Sequence, residues 1–261
     1  MVLRRLGRKS QIAPKIYRHF PDHDIYIEPF FGAGGMFFSK PKADFSLLND
    51  IDADVFNLFT VLHEQGEAFA DYFATVPISI HLWNHWRKHI PDDAIERAAR
   101  FVLLSNFGYM GKMETLLFRA GNDKKITLEK LNWTREFLSD VTLKFNGMDF
   151  RDFFETLAFH KGERERTFIY ADPPYLGTTN NYTQGFTPED VRDLLNTLIE
   201  TQCRFAYSEF ENAEFLDIVA EFEGLSVLEI GKRRSMKNHN TEILVVNYSS
   251  PVGSPVQLGL F

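Results

Sequence analysis

The chain has one cysteine, Cys203, which excludes an intramolecular disulfide and any cysteine-rich zinc site. It has no apolar run long enough to cross a bilayer. Its N-terminus, Met1-Val2-Leu3-Arg4-Arg5, is basic, but Gly7, Arg8 and Lys9 follow in place of an apolar stretch. A secretory leader is therefore not expected, and a reducing cytoplasm is the expected setting. There is no internal repeat and no low-complexity segment, so solenoid, collagen-like and coiled-coil architectures are set aside.

Phenylalanine, by contrast, is abundant: 26 of 261 residues, in a chain 44% hydrophobic and 25% charged. That is ample material for a core and excludes disorder for most of the chain. The length fits one large domain, or one domain carrying an insert. The net charge of −7 by itself argues against a polyanionic partner. Its distribution argues otherwise. Residues 1–20 hold Arg4, Arg5, Arg8, Lys9, Lys15 and Arg18 and no acid; residues 231–240 hold Lys232, Arg233, Arg234 and Lys237 and no acid. Such segments are either a polyanion-binding face or solvated surface.

The hydrophobic pattern predicts an α/β sheet interrupted by helices. Strands are expected at 25–28, 45–49, 141–145, 167–171, 204–207, 225–230 and 242–248. The last two are too close in sequence for a helical crossover and should be antiparallel. Ser10 is placed to cap a helix running to Phe20. Thr187-Pro188-Glu189-Asp190 opens another helix well, with Thr as N-cap, Pro at N1 and an acid at N3. Residues 64–138 read as mostly helical. The expected organisation is a catalytic unit of 1–63 and 139–248, an insert of 64–138, and a Ser-, Pro- and Gly-rich tail from 249 to 261.

Asp172-Pro173-Pro174-Tyr175 follows a strand, and in open α/β sheets ligands bind at the carboxyl ends of strands. By average composition this tetrapeptide should arise by chance in roughly one such chain in a thousand, so its position calls for a chemical reading. The exocyclic amine of a nucleobase is a poor nucleophile, because its lone pair is delocalised into the ring. A carboxylate accepting one N–H and a backbone carbonyl, that of Pro173, accepting the other would favour a tetrahedral nitrogen. The prolines stiffen that carbonyl, and the ring of Tyr175 offers a stacking face for an extruded base.

Other segments keep company with it. Glu28-Pro29-Phe30-Phe31-Gly32-Ala33-Gly34-Gly35 is a glycine turn after a strand. Leu48-Asn49-Asp50 ends the next strand on an acid, Gly147-Met148-Asp149-Phe150 follows the third, and Asn240 to Tyr248 closes the sheet. In this order the segments resemble the Dam-type (D12 class) DNA adenine-N6 methyltransferases over most of the chain outside the insert. The resemblance implies a Rossmann-like S-adenosylmethionine-dependent methyltransferase sheet with a mostly helical target-recognition insert. It implies cofactor contacts by Lys9, Glu28, Phe30, Gly32, Gly34, Asp50, Asp149, Phe150 and Asp172, with Asp50 on the ribose. The N-terminal piece, Arg4-Arg5-Leu6-Gly7-Arg8-Lys9, departs from the family pattern: Arg5 stands where an aromatic is usual and Arg8 where a glycine is.

The insert would read DNA. Tyr109 and Met110 can fill the gap left by a flipped base, with Lys112 beside them; an ordinary turn between helices is the alternative. Arg87, Lys88, Lys124 and Lys125 are either phosphate contacts or a solvated face. Arg233, Arg234 and Lys237, placed between the last two strands, are better phosphate candidates. Trp83 and Trp86 read as core. Gln257, Leu258, Leu260 and Phe261 resemble the pentapeptide that docks bacterial replication and repair proteins on the sliding clamp; an apolar tail folded back on its own domain is the other reading.

The expected activity is direct transfer of a methyl group from S-adenosylmethionine to N6 of an adenine flipped out of double-stranded DNA, with no metal and no covalent enzyme intermediate. RNA adenine-N6 or DNA cytosine-N4 methylation, or a non-catalytic DNA-binding protein of the same fold, remain as alternatives.

Overall fold

The computed structural model describes residues 3, 9, 12–109, 113–118, 121–177, 185–234 and 239–252, without the side chains of 233, 234 and 239. One seven-stranded sheet runs through it: β1 (Ile25–Glu28), β2 (Phe45–Asn49), β3 (Leu143–Asn146), β4 (Thr167–Ala171), β5 (Arg204–Phe210), β6 (Ser226–Arg234) and β7 (His239–Val246). Their order in the sheet is β3-β2-β1-β4-β5-β7-β6. β1 to β5 are parallel, and β7 lies antiparallel between β5 and β6. The last two strands are thus antiparallel, as their short connection predicts.

Alternation along the strands sorts side chains onto two faces. Tyr26, Leu48, Phe168, Tyr170, Ala206 and Leu244 belong to one buried cluster; Ile27, Ile169, Phe205, Tyr207 and Ile243 belong to the other. The second face is covered by α7 (Phe150–Glu155), α8 (Pro188–Glu200) and α9 (Ala213–Val219), which contribute Phe153, Leu194 and Ile218. The first face meets α1 (Ala13–Tyr17) and α2 (Ala53–Glu64). Its cluster continues without a break into α3 (Gly66–Thr75), α4 (Ile80–Trp86), α5 (Ala94–Phe107) and α6 (Asp123–Ser139). Trp83 and Trp86 are buried core residues there.

The helix starts follow their capping chemistry. Thr187 and Asp190 form the reciprocal capping box of α8, with Pro188 behind it. Asp52, Ser79, Asp93, Asp149 and Asn212 cap α2, α4, α5, α7 and α9 through their side chains. The first helix departs from the expected 10–20: it begins at Ala13 behind Ile12, with no side-chain cap, and Ser10 lies outside the described residues. A second departure concerns the basic stretch near the end. β6 extends to Arg234, so Arg233 and Arg234 are backbone-paired with Asn240 and His239 instead of standing in the connection. The alternating, β-tolerant run simply continues pairing past Ile230.

Candidate active site

The chain leaves β1 towards β2 on one side and reaches β4 on the other, so the carboxyl ends of β1 and β4 mark the point where strand order reverses. A crevice at such a point is the usual ligand site of a doubly wound sheet. Three loops meet there, and Asn49 sews them together. Its buried amide donates to the carbonyls of Pro29 at 3.1 Å and Met148 at 3.0 Å and accepts the Met148 N–H at 3.2 Å.

The glycine turn is built for close approach. Gly32 and Gly34 have φ of +55° and +69°, conformations that disfavour L side chains. A Cβ on Gly34 would sit 2.4 Å from the Phe38 ring, whereas one on Gly32 would meet nothing within 4 Å. Gly34 is therefore demanded by packing, and Gly32 faces open space. Asp50 Oδ2 accepts the Gly32 N–H at 2.5 Å and Oδ1 accepts the Asp52 N–H at 2.9 Å, which couples the end of β2 to the turn. Ile51, next in sequence, is 60% exposed. Sequence reasoning passed over it; an apolar side chain between two acids at a strand end was the available signal. Phe30, Phe150 and Phe186 form a ring triad with centroids 5.6 to 6.1 Å apart. Asp149 beside them N-caps α7.

Glu28, at the tip of β1, is fully buried and accepts the Tyr26 hydroxyl at 2.8 Å. Burial, opposed by that hydrogen bond and reinforced by the charge of Asp172, raises its carboxyl to about 8. Lys40 offsets part of that charge, and burial lowers its ammonium to about 8.

Across the reversal point stands the tetrapeptide. Asp172 is partly exposed and lies 3.2 Å from the ammonium of Lys9, itself only 4% exposed. Lys9 also donates to Ser208 Oγ at 2.9 Å, and to Tyr175 and Glu242. The Tyr175 ring meets Phe210 edge-on, centroids 4.5 Å apart, and its hydroxyl donates to Glu242 at 2.6 Å. Glu209, buried at the end of β5, accepts the N–H of Leu176 at 3.1 Å and of Phe210 at 2.8 Å, which pins the far end of the tetrapeptide loop. Burial raises its carboxyl to about 8.

Lys9, Glu28, Gly32, Asp50, Asp172 and Tyr175 thus stand at or beside the carboxyl edge of the sheet. Ser208, Glu209 and Glu242 were missed. Their signal was two acids and a serine in strands that are otherwise apolar.

Tyr109 is 55% exposed, just after α5, where its N–H donates to Thr115 at 2.9 Å and Gly108 bridges Leu116. Phe118 is exposed as well. Lys124 donates to the carbonyls of Ala74 and Val76 at the end of α3, so it caps a helix. Met110, Lys112, Lys237 and the tail residues Gln257, Leu258, Leu260 and Phe261 lie outside the described residues, as do the side chains of Arg233 and Arg234. No helix among the described residues is long and apolar enough to cross a membrane.

Residues 6–236 match the family described as D12 class N6 adenine-specific DNA methyltransferase. The chain is 28% identical over 208 residues to the DNA adenine methylase of Vibrio cholerae serotype O1, covering 72% of each chain. It is 28% identical over 192 residues to the DNA N-6-adenine-methyltransferase of Escherichia phage P1, covering 69% of this chain and 24% of that one. It is 25% identical over 195 residues to the DNA adenine methylase of Escherichia coli K12, covering 69% and 67%. Among solved structures, the rRNA methyltransferase aviRa of Streptomyces viridochromogenes aligns with a TM-score of 0.41 at 12% identity, covering 91% of this chain and 82% of that one.

Proposed function

This chain belongs to the D12 class of N6 adenine-specific DNA methyltransferases, and from that membership we propose that Asp172, the Pro173 carbonyl and Tyr175 handle the target adenine. It methylates N6 of adenine in DNA, which decides among the substrates the sequence alone left open. The observation that carries the assignment of residues is the position of Asp172: a carboxylate at the strand-order reversal, close enough to Glu28 for its charge to be felt there and paired with Lys9, which also donates to Tyr175.

An adenine in duplex DNA hides its amine in the base stack, so the base is extruded before it reacts. Asp172 accepts one N–H of the amine and the Pro173 carbonyl the other, while the ring of Tyr175 stacks on the base. Held this way, the nitrogen lone pair points out of the ring plane. Alignment of this kind can contribute about 7 kcal/mol or more to a two-reactant barrier.

Methyltransferases use S-adenosylmethionine, which supplies a methyl group on a sulfonium whose leaving group is a neutral thioether. The residues on the opposite side fit that group. Gly32 leaves open space over the turn, Glu28 closes the tip of β1 with a buried carboxyl, Asp50 suits a ribose diol, and Ile51 gives an exposed apolar surface for a purine face. Phe30, Phe150 and Asp149 complete that wall. Tyr109 and Lys112 on the insert, and Arg233, Arg234 and Lys237 near the β6–β7 turn, are assigned to DNA. Gln257, Leu258, Leu260 and Phe261 are assigned to a sliding clamp, and the setting is bacterial or phage-infected cytoplasm.

The test is Asp172→Ala. Transfer of labelled methyl to DNA should disappear while cofactor binding, followed by calorimetry, persists. Turnover retained in that variant would remove the assigned role.

A further inference from the structure

The site contains a carboxylate that belongs neither to the tetrapeptide nor to the glycine turn. Glu242 stands on β7, opposite Phe210 of β5 and Gly231 of β6, where the β6–β7 pairing is irregular. Because β7 runs antiparallel, its first half lies at the carboxyl edge of the other strands. Alternation puts Glu242 on the same face as Leu244, beneath the end of β4. The side chain is fully buried.

A carboxylate so placed needs a paired charge and hydrogen bonds. Its Oε1 collects three donors: the Tyr175 hydroxyl at 2.6 Å, the Ser208 hydroxyl at 2.6 Å and the Lys9 ammonium. Lys9 reaches from there to Asp172 at 3.2 Å, with its ammonium 4.7 Å from the centre of the Tyr175 ring. The two side chains assigned to the adenine are therefore tethered to one buried atom. One is tethered directly, through its hydroxyl, and the other through a lysine.

We infer that Glu242 is a positioning residue for methyl transfer: its carboxylate holds the Lys9 ammonium against Asp172 and fixes the hydroxyl end of Tyr175. The amine-orienting carboxylate and the stacking ring thus keep one mutual geometry. This rests on the reading of Asp172 and Tyr175 given above. Buried behind them, Glu242 acts through Lys9 and Tyr175.

Two variants test it. Glu242→Gln keeps the volume and an acceptor oxygen but removes the charge that holds Lys9. Tyr175→Phe keeps the ring and removes only the hydroxyl tether. Each should lower kcat by about tenfold or more, since small misplacements of reacting groups are costly. The cofactor Kd and KM should stay within about twofold, which a general loss of structure would not leave intact. Lys9→Met and Glu242→Gln should also be non-additive in kcat, because they break the same tether.

Wild-type kcat in Glu242→Gln, or full additivity with Lys9→Met, would overturn the inference. If Glu242→Gln does not fold, Tyr175→Phe decides alone, and wild-type kcat there is equally fatal. Asp172→Ala separates the two levels. Turnover retained there removes the underlying reading, whereas an inactive Asp172→Ala beside fully active Glu242→Gln and Tyr175→Phe removes only the role of Glu242.

Discussion

At the scale of single residues, Glu28 and Glu209 are two buried acids whose carboxyls sit at about 8, both raised chiefly by loss of water. In the unfolded chain they titrate near 4.5. The folded state therefore binds their protons more tightly, and the stability they contribute is complete below about 4.5 and lost as pH rises through about 8. Lys40, lowered to about 8, works in the other window: its share is complete above its ordinary value of 10.5 and declines as pH falls towards 8. His19 and His23, both lowered by burial, work against the carboxylates below about 6.5, because their share grows as pH rises. The melting temperature of the cofactor-free protein should therefore fall as buffer pH is raised from about 6.5 to about 8, and Glu28→Gln should flatten that slope. An unchanged slope in Glu28→Gln would show that its carboxyl keeps an ordinary value.

At the scale of elements, the start of α8 is set by local chemistry. Thr187 and Asp190 exchange bonds at 3.2 and 2.9 Å, and Asp190 also receives Arg151 at 2.6 Å from the start of α7. Thr187→Ala should cost about 1 kcal/mol in urea denaturation, since the cap is exposed and one of its reciprocal bonds is lost. That cap could be read from four consecutive letters, and so could the strands, whose apolar runs end in glycines or acids. The tetrapeptide was legible for the same reason: its parts are adjacent in sequence. Ser208 and Glu242 were not. They join the site only through the β5–β7 register, and no local pattern reveals which residue of one strand lies beside which residue of another. Arg233 and Arg234 were misplaced because a basic run looks like a loop, although strand pairing tolerates exposed charged side chains at a sheet edge.

At the scale of the whole molecule, α3 to α6 are packed into the body of the sheet. Their apolar side chains share one cluster with Phe31, Phe37 and the sheet itself. A charged seam reinforces the join. Arg100 on α5 donates to Asp54 on α2 at 3.0 Å and to the Trp86 carbonyl at 2.7 Å, with Arg97 also on Asp54 at 2.7 Å. Arg100→Ala removes a donor from the Trp86 carbonyl and leaves Asp54 with Arg97, a change that costs about 2 kcal/mol. Tryptophan fluorescence reports mainly on the insert and far-UV dichroism on the whole chain. The two should move together to a lower denaturant midpoint in this variant. Separate transitions would mean that the insert unfolds by itself.

The reach of Lys9 has a consequence for how the protein is made. Its partner on the last strand is 233 residues away in the chain. That strand also lies between β5 and β6, so β6 has no neighbour to pair with until it arrives. A nascent chain already displays the glycine turn and the tetrapeptide while its final strand is still inside the ribosome. It does not yet hold them in working order. Activity should switch on only once β7 has emerged and paired, and products terminated before His239 should leave DNA unmethylated.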